Sequence, residues 1–513
     1  MNIEKYNEFT RKFELLGNIH GIGIGHKTVD GYDTDEKSII FSVIKKKPVE
    51  EVPENELIPS MVEIDGELIK TDVVESPRCV PMDNPGWNVG RVSHATIAPT
   101  NEFQNGVRLR WSDWVVNDPK VLINNRKKQR SLRGGISIVI NNTFPTAGTL
   151  GLIAIDNETN SLVGLTNYHV ACEGNDPYYT QWRRFKDVNL LDKEIIQPAV
   201  IDSSTQNRIG VVKRYMPMHP AIDESTGEKT NKLNEIDAAI IAIDPPSKTP
   251  GLIDTDSHKQ LDLNFIEQNF AESGYQQNTA PFVDENEVVR PLPWATKEEL
   301  DTHLSSDYLF GKHPEDNKYF YLYKSARTTG VLGNQEAIVP IMLSEVNVSH
   351  DIMYRHYRKP YEESEGTFDQ FATKFHNVFR YVARTRNDNE VVGIYNPVVG
   401  GDSGSAVLAV IEGVMKVIGL TYGGVNSSET NPDGSFKSYS GLACRIDRVA
   451  ELLNIRAWNG TFTQNGKPVT YSNTNVQETL VVRGKSDKTY IEKDGKKYWQ
   501  MGTVSEDVKP NYP

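Results

Sequence analysis

Cysteine is scarce. Cys79, Cys172 and Cys444 are the only three in 513 residues, odd in number and far apart. They make no disulfide framework, which fits a reducing compartment, and they lack the close spacing of a zinc site. No apolar run approaches the ~18 residues that a membrane span needs. The N-terminal stretch MNIEKYNEFTRKFELLG carries too many charges for a secretory signal. No CxxC, HExxH, Walker loop or GxGxxG occurs, so neither a metal nor a cofactor is expected. Positive charge is outnumbered, 56 Lys and Arg against 69 Asp and Glu, for a net charge of −13. Such a chain repels phosphate backbones, so nucleic acid is not a default partner, and the basic stretch Arg126 to Arg133 reads as a solvated loop. These absences together set the expectation of a cytoplasmic protein that has no membrane contact and no cofactor.

What is present is a chain long enough for roughly two to four domains, with 38% hydrophobic and 24% charged residues, a soluble globular balance. Residues 3–16 can form a helix with Phe9, Phe13, Leu15 and Leu16 on one side. Ile19 to Ile24 and Ser38 to Ile44 read as strands, the second broken by Lys45-Lys46-Lys47-Pro48, and Asp65-Gly66 marks a hairpin between Met61–Ile64 and Leu68–Val74. Residues 79–133 have little periodicity. From Gly134 onward, short apolar or alternating segments recur between turn residues, at 136–140, 148–155, 162–165, 195–196, 209–212 and 236–243. That density suggests an antiparallel barrel or sandwich. Residues 245–320 interrupt the rhythm with a helical stretch at Lys297 to Leu304. Strands resume at 319–323 and 338–346, and an acidic, aromatic, mobile-looking stretch follows at about 350–375. Further strands fall at 379–383, 391–394, 406–411, 414–422 and 439–446, then a closing helix at 447–455. Asp494-Gly495 marks a hairpin turn in the last fifty residues.

Three short stretches carry the chemistry. In Gly400-Gly401-Asp402-Ser403-Gly404-Ser405-Ala406, glycines flank a serine and permit a tight turn that aims backbone N–H groups beside the hydroxyl. Such a loop can hold a nucleophile and an oxyanion hole together. Thr166-Asn167-Tyr168-His169-Val170-Ala171 places a histidine just past a strand. Asn234-Glu235-Ile236-Asp237-Ala238-Ala239-Ile240-Ile241 sends an aspartate into an apolar strand, where a buried carboxylate needs a partner. The order His169, Asp237, Ser403 is one of those in which a nucleophile triad occurs.

With these motifs the chain resembles the trypsin-like serine proteases. TNYHVA resembles their histidine motif, IDAAIIAID their aspartate strand, and GGDSGSAV their serine motif. Lys324 to Gly330 and Gly419 to Gly424 resemble two strands of their second barrel. Arg133 to Ile138, with Gly148 to Gly151, resembles the barrel entry of cytoplasmic bacterial and plant narrow-leaf-type members. The resemblance implies a mainly β chain: two six-stranded antiparallel barrels of chymotrypsin type, a small N-terminal α/β module, a partly helical insertion and a C-terminal β appendage. The expected boundaries are a module at 1–78, a linker wrapping the protease at 79–133, a protease domain at 134–460 with its insertion at about 245–320, and an appendage at 461–513. By the same resemblance Ser403 is the nucleophile, His169 the general base and acid, and Asp237 the group that orients the imidazole. Gly401 and Ser403 supply the oxyanion N–H groups. Thr421, Tyr422 and Gly423 pair with an extended substrate, and Pro397 sits at the base of the primary specificity pocket.

Three features depart from the family pattern. The aspartate and serine lie farther apart in the chain than a compact barrel pair requires, and the insertion accounts for the excess. Pro397 stands where an acid would favour basic residues, and Gly423 and Gly424 are expected to leave the pocket walls open to a medium or large side chain. Asp402 pairs in secreted relatives with a freed amino terminus. Cleavage after Arg133 would supply one here, but an internal cation or a loop donor is the expected partner.

The function expected is a gated serine endopeptidase acting on a specific intracellular protein, with a regulatory protein as a further partner. A sharper form is a bacterial defence protease that activates an effector such as a pore former. The appended front module and tail make a homo-oligomer reasonable. The alternative is a catalytically silent protease-like scaffold that binds extended peptides. An esterase is disfavoured because G-x-S-x-G does not occur at Ser403.

Overall fold

The structure, a computed structural model, describes residues 2–81, 134–173, 191–219, 233–244, 293–311, 320–332, 341–353, 372–412, 414–430 and 436–458 apart from short gaps. Short pieces at 103–108, 126–132, 461–470 and 489–500 are also described. Most of the expected linker at 79–133, insertion at 245–320 and appendage at 461–513 therefore lies outside the described residues.

The chain opens with helix α1 (Ile3–Arg11), shorter than the 3–16 expected. Asn2 caps it by accepting from the Glu4 and Lys5 N–H groups, a cap of a kind typically worth ~1 kcal/mol. Strands β1 (Ile19–Val29), β2 (Tyr32–Val43), β3 (Met61–Ile64), β4 (Glu67–Glu75) and β5 (Cys79–Pro81) follow. Phe9 and Phe13 from the helix side pack on Phe41 of β2 with ring centroids 6.4 and 5.2 Å away. The Asp65-Gly66 turn joins β3 and β4, both residues having positive φ. A two-residue pair, β6 (Phe103–Gln104) and β7 (Val107–Arg108), stands apart.

The next seven strands are β8 (Ile136–Ile140), β9 (Gly148–Leu150), β10 (Leu152–Asp156), β11 (Ser161–Thr166), β12 (Glu194–Ile196), β13 (Arg208–Tyr215) and β14 (Ala239–Ile243). With β23 (Ile455–Ala457) they form an eight-stranded sheet in the order β23-β10-β11-β14-β13-β12-β8-β9. β8 and β10 are mostly apolar and are buried at every residue, Ser137 and Asp156 included.

Helices α2 (Lys297–His303) and α3 (Ser306–Leu309) come next. They are followed by β15 (Tyr321–Ala326), β16 (Gly330–Leu332), β17 (Ile341–Met353), β18 (Ala372–Asn387), β19 (Glu390–Tyr395), β20 (Ala406–Ile411), β21 (Val414–Thr430) and β22 (Phe436–Arg445). β15-β20-β21-β22-β18-β17 run in sequence, and a direct β15–β17 pairing closes them into a six-stranded ring. Helix α3 thus precedes the ring in the chain and α4 (Ile446–Leu452) follows it, and β23 then returns to the first sheet beside β10. Two further hairpins, β24 (Thr461–Gln464) with β25 (Lys467–Thr470) and β26 (Thr489–Lys493) with β27 (Lys496–Gln500), complete the described strands. The chain is mainly β, with the two-barrel layout that the resemblance implied.

Three findings refine the expectations. The front segment is continuous with the ring: β1 pairs antiparallel with β17 from Gly21↔His350 to Gly25↔Glu345. β17 is longer than ring closure needs, so its edge beyond the β15 contact is left for β1, and hydropathy patterning cannot reveal such edge sharing. Most of the stretch expected to be mobile at about 350–375 lies outside the described residues; its described ends are strand, in β17 to Met353 and in β18 from Ala372. The described end of the expected insertion is fastened to the ring. Ala295 N–H donates to Val417 O, and α2, with a Thr296/Glu299 capping box, forms ion pairs from Glu299 to Lys416 and from Asp301 to Arg445.

Candidate active site

Strands β11 and β14 pair so that Thr166 lies opposite Ala239. The residues just beyond Thr166 and just before Ala239 therefore leave the sheet at the same end. This register is why His169 and Asp237 meet. His169 sits at the start of a single π turn (His169–Glu173), a distortion often found at functional sites. Its Nδ1 lies 2.5 Å from Asp237 Oδ2, and its N–H donates to Oδ1 at 3.2 Å. Asn167 Nδ2 donates to the Asp237 carbonyl at 2.6 Å, and the Asp237 N–H points to Cys444 Sγ at 3.4 Å. Both side chains are buried. A buried carboxylate on Nδ1 holds the imidazole with Nδ1 protonated and leaves Nε2 as the basic nitrogen.

The serine loop is shaped from beneath. Gly401 and Gly404 take φ of +100° and +94°. A Cβ on Gly401 would lie 2.4 Å from Thr328 Oγ1, and one on Gly404 2.2 Å from the Thr149 carbonyl, so glycine is required at both. Asp402 is fully buried below the loop. Its Oδ1 accepts from the Thr328 and Thr329 N–H groups at 3.0 and 2.9 Å, and its Oδ2 pairs with Lys324 Nζ at 3.0 Å. Lys324 Nζ also donates to the Pro397 carbonyl. Burial draws the Lys324 ammonium below the ordinary lysine range, and Asp402 opposes that pull. The internal cation and the loop donors are thus both present.

Thr149 joins this cradle to the histidine arm. Its N–H donates to Ser403 O at 2.7 Å, and its hydroxyl donates to Gly401 O at 2.8 Å. The same hydroxyl accepts from Arg327 N–H at 3.0 Å, and the Thr149 carbonyl accepts from Thr166 Oγ1 at 2.7 Å. Arg327 in turn forms a two-pronged pair with Asp202, at 2.5 and 2.9 Å. The first sheet and the ring are therefore tied together immediately behind Ser403. The Ser403 hydroxyl itself donates to the Tyr422 carbonyl at 3.4 Å.

Thr421, Tyr422 and Gly423 lie in β21. Thr421 N–H donates to Ser405 O at 2.8 Å and Gly404 N–H to Thr421 O at 2.9 Å, which fixes the strand beside the serine loop. The Tyr422 ring is buried against Phe375, and its hydroxyl meets His350 Nε2 at 2.7 Å. Burial holds His350 well below the usual histidine range. Pro397 is buried, with its carbonyl on Lys324. The space beside Gly441 is filled by the Tyr381 ring and Val398, whose atoms lie 2.3 and 2.4 Å from where a Gly441 Cβ would be. Tyr381 reaches across to Thr421, hydroxyl to hydroxyl, at 2.8 Å. Gly423 and Gly424 pair through their backbones with β5.

Sequence reading missed Thr149, Tyr381 and β5. The small residues Gly148 and Gly151 around Thr149 were the available signal for a close approach there. For β5 no local signal exists. Among the described residues, no group of three or more His, Cys, Asp or Glu is placed to hold a metal ion, and no helix is long and apolar enough to cross a membrane.

No family model matches the chain, and no curated protein is significantly similar to it in sequence. Solved structures of similar shape include a Nocardiopsis protease (10% identity, TM-score 0.28, covering 64% of this chain and 98% of that one). Thermobifida fusca Protease A is another (11%, 0.28, 64% and 99%). A glutamic acid specific serine protease is a third (12%, 0.26, 64% and 100%). At that identity and TM-score the likenesses carry no argument about what this chain does.

Proposed function

We propose that the chain is a serine endopeptidase in which Ser403 attacks the scissile carbonyl. His169 takes the serine proton and returns it to the leaving amine, and Asp237 holds the imidazole and stabilises its cation. The observation that carries this reading is the buried His169–Asp237 pair at 2.5 Å, tied through Thr166 and Thr149 to the loop that bears Ser403. The N–H groups of Gly401 and Ser403 face the developing oxyanion, where each donor is worth about 10²–10³ in rate. The edge of β21 from Gly423 onward receives an extended protein segment, with Thr421 held to the serine loop at its start, and Tyr381, Val398 and Pro397 bound the side-chain pocket of the residue before the cleaved bond. The substrate is a specific intracellular protein, cut in the cytoplasm under a gate. In a bacterial host an effector of defence is a fitting target, and a regulatory protein or self-association are fitting gates.

A second reading is favoured by one observation. Ser403 is fully buried and its hydroxyl is turned to the Tyr422 carbonyl, as befits a silent scaffold that only binds peptides. Fluorophosphonate labelling of the wild type beside Ser403→Ala and His169→Ala separates the two. Labelling of the wild type alone is expected. A wild type that stays unlabelled after its binding edge has been cleared would leave the scaffold reading in place.

A further inference from the structure

The edge of β21 that faces the serine loop already holds a strand, and the strand belongs to this chain. β5 runs antiparallel to β21 with Pro81 opposite Gly423, Val80 opposite Gly424 and Cys79 opposite Val425. On its other side Cys79 pairs in parallel with Ile352 of β17. β22 occupies the opposite edge of β21 over the same residues, from Thr421↔Ala443 to Val425↔Ser440. β5 therefore lies on the only edge of that stretch that β22 leaves free.

The polarity is informative. From Cys79 to Pro81 the chain runs toward Tyr422, whose carbonyl accepts the Ser403 hydroxyl. A substrate segment laid antiparallel on β21 would run the same way, with its C-terminal end toward the serine. The occupant is short and lightly held: three residues, fixed by backbone pairing and by the fully buried Cys79 side chain. It is also close at hand, because β4 ends at Glu75 and only residues 76–78 separate the two strands. Short tethers give effective concentrations on the order of millimolar.

We infer that β5 is a tethered, substrate-like occupant of the β21 edge, and that an extended, unstructured segment of another protein binds there only by displacing it. The inference rests on reading β21 as the substrate strand. Such a competitor needs a small apolar side chain to take the Cys79 position and free backbone groups to pair with Gly423 to Val425. A folded surface does not meet those needs.

The test is peptide binding in the full chain carrying Ser403→Ala, so that nothing is cut. The probe is a fluorescent peptide copying residues 78–82, kept reduced, with binding read by anisotropy with and without Val80→Pro. Proline removes an N–H from a strand that is paired on both sides. The displaced form is expected to bind at least about tenfold more tightly, because apparent affinity scales with the fraction of empty seats. Equal affinity in two folded proteins overturns the inference, and so does the absence of binding by either at millimolar peptide. If Val80→Pro fails to fold, hydrogen exchange on the unaltered chain decides. Saturating peptide should speed exchange at the Cys79 and Val80 amides, and unchanged protection under saturation overturns the inference. A chain that binds peptide competitively but never reacts with fluorophosphonate would sink the nucleophile assignment and leave β5 as the occupant.

Discussion

The cradle beneath Ser403 and the edge beside it are built in opposite ways. The cradle is permanent: Asp402 meets a buried lysine and two backbone N–H groups, and Thr149 spends its N–H, hydroxyl and carbonyl on three different segments. The edge is provisional, closed by three residues on a short tether. With Lys324 beneath it, the serine loop takes its shape without a freed amino terminus. On the proposed reading, control would act on access to the serine, while the loop itself stays built.

That contrast can be broken most severely at the cradle. Lys324→Met leaves Asp402 buried without its cation and is expected to lose about 3–5 kcal/mol, read as a shift in the denaturant midpoint, together with fluorophosphonate reactivity. A loss below about 1 kcal/mol would mean that water reaches Asp402 and that the cradle is no more permanent than the edge. Gly404→Ala comes next. It forces a left-handed backbone on alanine and a clash with the Thr149 carbonyl, each about 1–3 kcal/mol. A wild-type denaturation midpoint for that variant would contradict the tight approach of the two segments. Thr149→Val is gentler, since it keeps the shape but strips the hydroxyl from Gly401 O and Arg327 N–H, for about 1–3 kcal/mol. Labelling should slow by more than stability falls, because the lost bonds position the serine loop; parallel losses would assign Thr149 to stability alone.

The smallest effect sharpens the comparison from the other side, and it needs acid to be seen. His350 lies under Tyr422, and burial keeps it neutral well below the usual range, with Arg380, His20 and Lys374 nearby and Asp351 O on its Nδ1. The unfolded chain takes up the proton first, so this contribution is complete above about pH 6.5 and is lost as pH falls toward the folded value. Melting temperature should decline over that range, and His350→Gln should flatten the decline. An unchanged acid limb in the variant would place the sensitive group elsewhere.

How much of this was legible depended on distance along the chain. β8 and β20 were read with their observed limits because each is a short apolar run between turns. His169, Asp237 and Ser403 stood out because each lies in a stretch with its own local pattern. β18 was read as 379–383 but extends over Ala372–Asn387, since its ends lack a clear apolar alternation and their strand geometry is set by β17 and β19. The Lys324–Asp402 pair was foreseen as a type of partner and not as a residue, because a lone lysine in a strand has no pattern. The bonds of Thr149 to the serine loop and the pairings of β5 join residues far apart in the chain, 252 positions for Thr149 and Gly401, and no local pattern records them.

The pairing of β5 with β21 also fixes an order of events during synthesis. Chains emerge from the ribosome N-terminal end first. Residues 79–81 are made long before residues 423–425, and the serine loop at 400–406 comes only shortly before its edge strand. The occupant is therefore waiting when its seat is made, and no stage of translation presents a finished ring whose covering strand has yet to be synthesised.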